Sequence, residues 1–202
     1  MEDESTRERL ITSALRLFAE KGYQSTSVAD LLQESKCHSG SFYHFFPTKQ
    51  DLLLAVLERY RLGIVPMLIE PAWKNVHDPI ERIFALLGRY RMLLRTTDCA
   101  YGCPIGSLAL EIHEPDPAVR KLLADNFTGW VDHVERCLIE ARATLGPDVD
   151  TRRVASFVLT VMEGGVMQSR TYRNLKAFDA AVASLRDYMN SLRRVASRQA
   201  TS

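Results

Sequence analysis

The chain has 202 residues, 46% hydrophobic and 25% charged, enough for one substantial core or for a small domain joined to a larger one. A formal net charge of +1, with six Lys/Arg against seven Asp/Glu in residues 1–50, excludes a protein that coats nucleic acid by bulk charge. Four cysteines (Cys37, Cys99, Cys103, Cys137) without a CxxC pair, no signal peptide and no apolar run of membrane-spanning length point to a reduced, cytoplasmic chain with no membrane partner.

Residues 1–6 are polar and acidic and are expected to fray. Leu10, Ala14, Leu17 and Phe18 recur at helical spacing and predict a helix from about Arg7 to Lys21, stopped by Gly22. Ser27 caps a second helix, and Asp30 three residues on completes a capping box with Asp in place of the usual Glu or Gln. The apolar pattern breaks over residues 35–38. A third helix covers about Ser39 to Phe46, and Pro47 prevents its continuation. Helices this short must lean on neighbours. Phe42 and Phe46 supply the core side of the third, which otherwise carries more polar and aromatic groups than packing requires. Such a pair of helices is the helix-turn-helix layout, whose second helix enters the DNA major groove.

Thr48 caps a longer helix, with Asp51 again three residues on and Leu52, Leu53, Val56, Leu57 and Tyr60 as its stripe. Gly63 and Pro66 are expected to bend or end it, and Pro71 to interrupt it. Asp78-Pro79 starts a helix that continues through Leu94. A loop with two cysteines and two glycines precedes a short helix, about Ile105 to His113. A long helix follows from Ala118 to about Thr144, closed by Gly146-Pro147. The last two helices run about Thr151 to Arg173 and Ala177 to Ser197, and nothing suggests a strand. The expected fold is all-α, with domains at 1–50 and 51–202.

The run LITSALRLFAEKGYQSTSVADLL through SGSFYHFFPTKQDLLLAVLERY, Leu10 to Tyr60, resembles the N-terminal domain of TetR-type transcriptional regulators. Several features recur together: the F-x-x-K-G-Y turn, the T-S-V cap, the G-S-F-Y-H helix and the F-P-T-K-x-x-L entry to a long helix. The resemblance implies an N-terminal helix-turn-helix domain and a larger helical domain for ligand binding and dimerisation. It places base and phosphate contacts at Ser39, Gly40, Ser41, Tyr43 and His44, with Lys49 as a phosphate-gripping lysine. Thr26, Ser27 and His38 are further DNA candidates. Phe45 departs from the pattern, standing where many members carry a polar residue. It either forfeits a phosphate contact or packs inward with Phe46.

The penultimate helix is apolar nearly all round from Val154 to Met167, so it must be covered on both sides. Phe157, Gly164 and Gly165, with Leu185, Tyr188 and Leu192 of the final helix, are the expected interface of a symmetric homodimer. TetR-type proteins dimerise through their last two helices, and a dimer presents two recognition helices to a palindromic, double-stranded operator. Phe84, Tyr90, Phe127, Trp130, Cys137, Met162, Glu163 and Met167 are the candidate lining of a pocket for a small, apolar or aromatic effector. No cofactor or metal is expected, since His113 and the cysteines lack ligand spacing.

The chain therefore reads as a dimeric repressor released from its operator when an effector shifts the short helix near Ile105–His113 against the helix near Leu52–Tyr60. One alternative is a thiol-based redox or electrophile sensor using Cys99 and Cys103. Outside that class stand a helical enzyme with His113, Glu111 and Glu114 as acid–base groups, or a helical scaffold. The enzyme lacks a nucleophile or cofactor loop, and the scaffold leaves the SGSFYH helix unexplained.

Overall fold

The structure, a computed structural model, describes residues 5–146 and 148–199, the last six of these by backbone alone. The expected fraying over residues 1–4 and the role of Pro147 lie outside the described residues. Among the described residues every regular element is helical, and no helix is long and apolar enough to cross a membrane. Contacts divide the chain into two compact units, Met1–Leu62 with Pro104–Asn126, and Gly63–Cys103 with Phe127–Ser202. The division thus differs from the continuous split expected at residue 50. The short helix that follows the cysteine loop belongs with the N-terminal helices.

In the first unit, α1 (Thr6–Lys21), α2 (Val28–Ser35) and α3 (Ser39–Phe45) pack together, and α4 (Lys49–Ile64), α7 (Pro104–Glu111) and the start of α8 (Pro117–Glu140) complete it. Ser5 caps α1 by accepting from Glu8 N–H, so the chain is helical from Thr6 rather than frayed. Leu10, Leu17, Phe18, Leu31, Phe42 and Leu57 are all buried, as the helical stripes required. Ser27 and Asp30 form the full capping box at α2, and Thr48 and Asp51 exchange the same bonds ahead of α4. Asn126 of α8 donates from Nδ2 to the Leu57 carbonyl at 3.1 Å, tying α8 to α4 inside this unit.

The prolines after α4 do not end it. Helical backbone continues through a π-turn at Val65–Ile69 into α5 (Glu70–Trp73). A proline in mid-helix removes one N–H and crowds the carbonyl four residues back. Here the turn widens instead, and Glu70 N–H reaches Val65 O, five residues away.

The second unit packs α5, α6 (Pro79–Thr96), most of α8, α9 (Arg142–Leu145), α10 (Thr151–Tyr172) and α11 (Lys176–Gln199) around Leu86, Leu87, Val134, Leu138, Val158 and Met162. Asp78 caps α6 as its sequence predicts, accepting from Ile80 and Glu81 N–H. The long helix expected to reach Thr144 breaks at Ala141, leaving α9 as a separate turn. Ion pairs Arg91–Asp179 and Arg186–Glu81 fix α6 against α11. Gly165 lets α10 approach α11 closely, since a Cβ there would lie 3.2 Å from Phe178 Cα.

Candidate nucleic-acid interface

The surface of α3 follows from its packing. Phe42 is fully buried and Phe46, just after the helix, is 3% exposed. Burying each contributes roughly 1.5–3 kcal/mol and fixes the rotation of a seven-residue helix that could not stand alone. The opposite side is thereby turned outward. Tyr43 is 56% exposed, and Ser39, Gly40 and His44 are also exposed. Ser41 is half-buried. Tyr43 stands edge-on to Phe42 at 5.2 Å between centroids, which props its ring without enclosing it. Phe45 faces outward at 38% exposure and stacks edge-on with His44, so it does not pack inward with Phe46. His38 is the exposed N-cap of α3 and makes no side-chain capping bond.

Three candidates sit differently from what the sequence suggested. Thr26 is fully buried, and its hydroxyl donates to Gly22 O at 2.7 Å. Its side chain therefore closes the α1–α2 turn and is withdrawn from any DNA surface. Ser27 is exposed, but its hydroxyl donates to Asp30 Oδ2 at 2.6 Å and accepts from Asp30 N–H. The Ser27 hydroxyl and backbone N–H, with the ammonium of Lys21, hold the Asp30 carboxyl down at about 2. Lys49 donates from Nζ to the carbonyls of Tyr23 and Thr26, both at 2.8 Å, and lies 4.3 Å from the Tyr23 ring centroid. Two of its three N–H donors are thus spent on the turn. Burial lowers its pKa, opposed by the nearby Glu111 carboxylate.

Glu111, at the end of α7, accepts from Tyr23 N–H at 2.9 Å and from Gln24 N–H at 2.5 Å. The bonds span 88 and 87 residues, and no local pattern announces them. His113 and Glu114 are exposed beyond the helix and join no cluster with it.

Of the effector candidates in the second unit, Phe84, Trp130, Cys137 and Met162 belong to one buried core, with Tyr90 packed against it. Trp130 donates from Nε1 to Tyr90 Oη at 3.1 Å. The Tyr90 hydroxyl has its pKa driven well above 10 by burial and then by the nearby Cys103 and Glu163. Glu163 accepts from the Cys103 thiol, and burial raises its carboxyl pKa while that bond lowers it. Its Oε1 is buried and has no partner. Cys103 is half-buried and Cys99 buried. Phe84 lies beneath the Arg186 guanidinium, 3.7 Å from the ring centroid. Burial, followed by Glu140, pushes the Cys137 thiol up to about 11. Met162 is core, Phe127 is half-buried, and Met167 points outward at 53% exposure. Of the expected dimer contacts, Leu185 is buried in its own unit and Gly165 against its own Phe178, while Leu192 packs partly buried on the same core. Phe157 and Tyr188 face outward, stacked edge-on at 5.6 Å, and Gly164 faces open space.

Comparison with known proteins agrees with this layout. Residues 10–56 match the profile described as bacterial regulatory proteins, tetR family. Residues 79–185 match that of the tetracyclin repressor-like C-terminal domain. The chain is 28% identical over 169 residues to the HTH-type transcriptional regulator YxaF of Bacillus subtilis, covering 84% of this chain and 87% of that one. It is 25% identical over 179 residues to the HTH-type transcriptional repressor DhaR of Mycobacterium sp. strain GP1, covering 86% of each. The fold matches the regulatory protein TetR from Rhodobacter sphaeroides with a TM-score of 0.82 at 23% identity, over 89% of this chain and 96% of that one. With both halves of the family's architecture matched and the helix-turn-helix in place, the chain belongs to the TetR family of helix-turn-helix transcriptional regulators.

Proposed function

We propose that this regulator is a repressor, binding a palindromic operator as a homodimer and released by a small-molecule effector. The observation that carries the reading is the two-sided α3: Phe42 and Phe46 inward, Tyr43, His44, Ser39 and Gly40 outward. Small residues at the helix start let its backbone approach base edges, while the Tyr43 hydroxyl and His44 reach phosphates. Ser41 and His38 extend the same surface. Ser27 and Lys49, largely engaged within the turn, serve mainly to place it, with one Lys49 N–H left for a phosphate. DhaR, a relative over 86% of this chain, is described as a repressor, which supports the direction of control.

Dimerisation is assigned to the outward side of α10 and α11, where the Phe157–Tyr188 aromatic pair faces outward and nothing covers Gly164. The effector is assigned to the cluster of Tyr90, Trp130, Cys103 and Glu163. The unpartnered Glu163 Oε1 favours a largely apolar molecule that brings one hydrogen-bond donor to it. Selection of bound sequences from random duplex DNA tests the reading. Recovery of a two-fold symmetric site bound by a dimer supports it. Failure of the purified protein to enrich any sequence sinks it.

A further inference from the structure

The five-residue turn from Gly22 to Thr26 is held from both sides by opposite charges. On its N–H side, the Glu111 carboxylate accepts from Tyr23 and Gln24. On its C=O side, the Lys49 ammonium donates to Tyr23 and Thr26. Gly22 shapes the seat. Its φ is +87°, and a Cβ there would lie 2.9 Å from Glu111 Oε1, so the carboxylate occupies space that a side chain at 22 would fill. Tyr23 itself leans edge-on against the buried Phe18 and offers its face to Lys49.

This turn fixes both ends of the DNA-reading segment. Ser27, which starts α2, follows it directly, and Lys49, which starts α4, is bonded to it. Between these two points lies α3, which also packs on α1 through the buried Phe42. Glu111 is the turn's charged contact from outside the first fifty residues. It ends an eight-residue helix whose first residue follows Cys103, the thiol bonded to Glu163.

We infer that Glu111 is a positioning residue for operator recognition: it pins the α1–α2 turn in the geometry that presents α3 to DNA. The inference rests on the operator-binding reading above. It goes further by assigning a residue outside the helix-turn-helix to its specificity.

The test uses the full-length protein and the duplex that the wild type selects from random DNA, with a scrambled duplex as control. Glu111→Gln and Glu111→Ala are compared with wild type by amide hydrogen exchange over residues 22–26 and by affinity for both duplexes. Circular dichroism checks that each variant folds, and the isosteric Gln variant serves if Ala does not. Expected are faster exchange at Tyr23 and Gln24 and an operator affinity reduced about tenfold, with affinity for the scrambled duplex unchanged. A purely structural contact would lower melting temperature without moving the operator-to-scrambled ratio, and that result overturns the proposal. Unchanged exchange at both amides overturns it as well. If the wild type enriches no sequence, the operator-binding reading fails and takes this inference with it. If the wild type enriches a site and the variants match it, only the inference fails.

Discussion

Phe42 and Tyr43 are neighbours in the chain with opposite fates: one fully buried, the other 56% exposed. Their difference is a rotation of about 100° around a helix axis, and it separates the residue that holds α3 from the residue proposed to read DNA. Tyr43→Ala should leave melting temperature near wild type while weakening operator binding by roughly 1–3 kcal/mol, read by fluorescence anisotropy. Equal affinity would remove Tyr43 from the contact surface. Glu163 poses a different problem. Its carboxyl is buried with one oxygen unpartnered, and its folded pKa lies above the ordinary glutamate value. The native state then holds a proton that the unfolded chain releases. Stability is fullest below the unfolded pKa and is lost as pH rises through the window between the two values. Glu163→Gln should flatten that decline as pH rises above the ordinary glutamate range in thermal melts. An unchanged slope would show that the carboxyl is solvated or otherwise satisfied.

Adjacent glycines in α10 look equivalent on paper, since each costs about 1 kcal/mol of helix propensity relative to alanine. Packing distinguishes them. Around Gly164 nothing lies within 4 Å, whereas at Gly165 a Cβ would meet Phe178 at 3.0 and 3.2 Å, the second contact being backbone. Gly165→Ala should therefore destabilise by roughly 1–3 kcal/mol, the overpacking outweighing the propensity gain. Gly164→Ala should be neutral or stabilising by up to about 1 kcal/mol within the protomer. Denaturant melts of both variants measure the difference. A Gly164→Ala variant that folds well but fails to dimerise would mean that the partner's helix crosses there. The π-turn at Val65–Ile69 belongs to the same scale. It keeps one helical path from Lys49 to Trp73 where two prolines would otherwise have cut it.

For the molecule as a whole, the proposed reading of a palindromic operator requires assembly into a dimer. The outward side of α10 and α11 carries Phe157 at 45% exposure, Tyr188 at 39% and Met167 at 53%. Phe157→Glu should shift the protein to monomer in sedimentation or light scattering. Operator affinity should then fall by far more than a single lost contact explains, because a monomer reads one half-site. A dimer that survives this substitution would place the interface elsewhere.

The sequence by itself determined what is local. The Ser27–Asp30 and Thr48–Asp51 capping boxes, the stop at Gly22 and the alternation of buried and exposed positions on α3 all lie within a turn or two of their causes. They were legible together with the all-helical class and the TetR resemblance. Tertiary structure alone decided the rest. Thr26 looked like a phosphate ligand until the turn folded its hydroxyl back on Gly22. Lys49 carried its charge openly in sequence, but two of its donors are taken by the carbonyls of Tyr23 and Thr26. Gly165 and Leu185 could not be separated from Gly164 and Tyr188 until α10 met α11. Glu111 was invisible as a partner of Tyr23 and Gln24 because backbone N–H groups carry no sequence signature. Which side chain satisfies them is settled by where α7 comes to rest, 87 residues further along the chain.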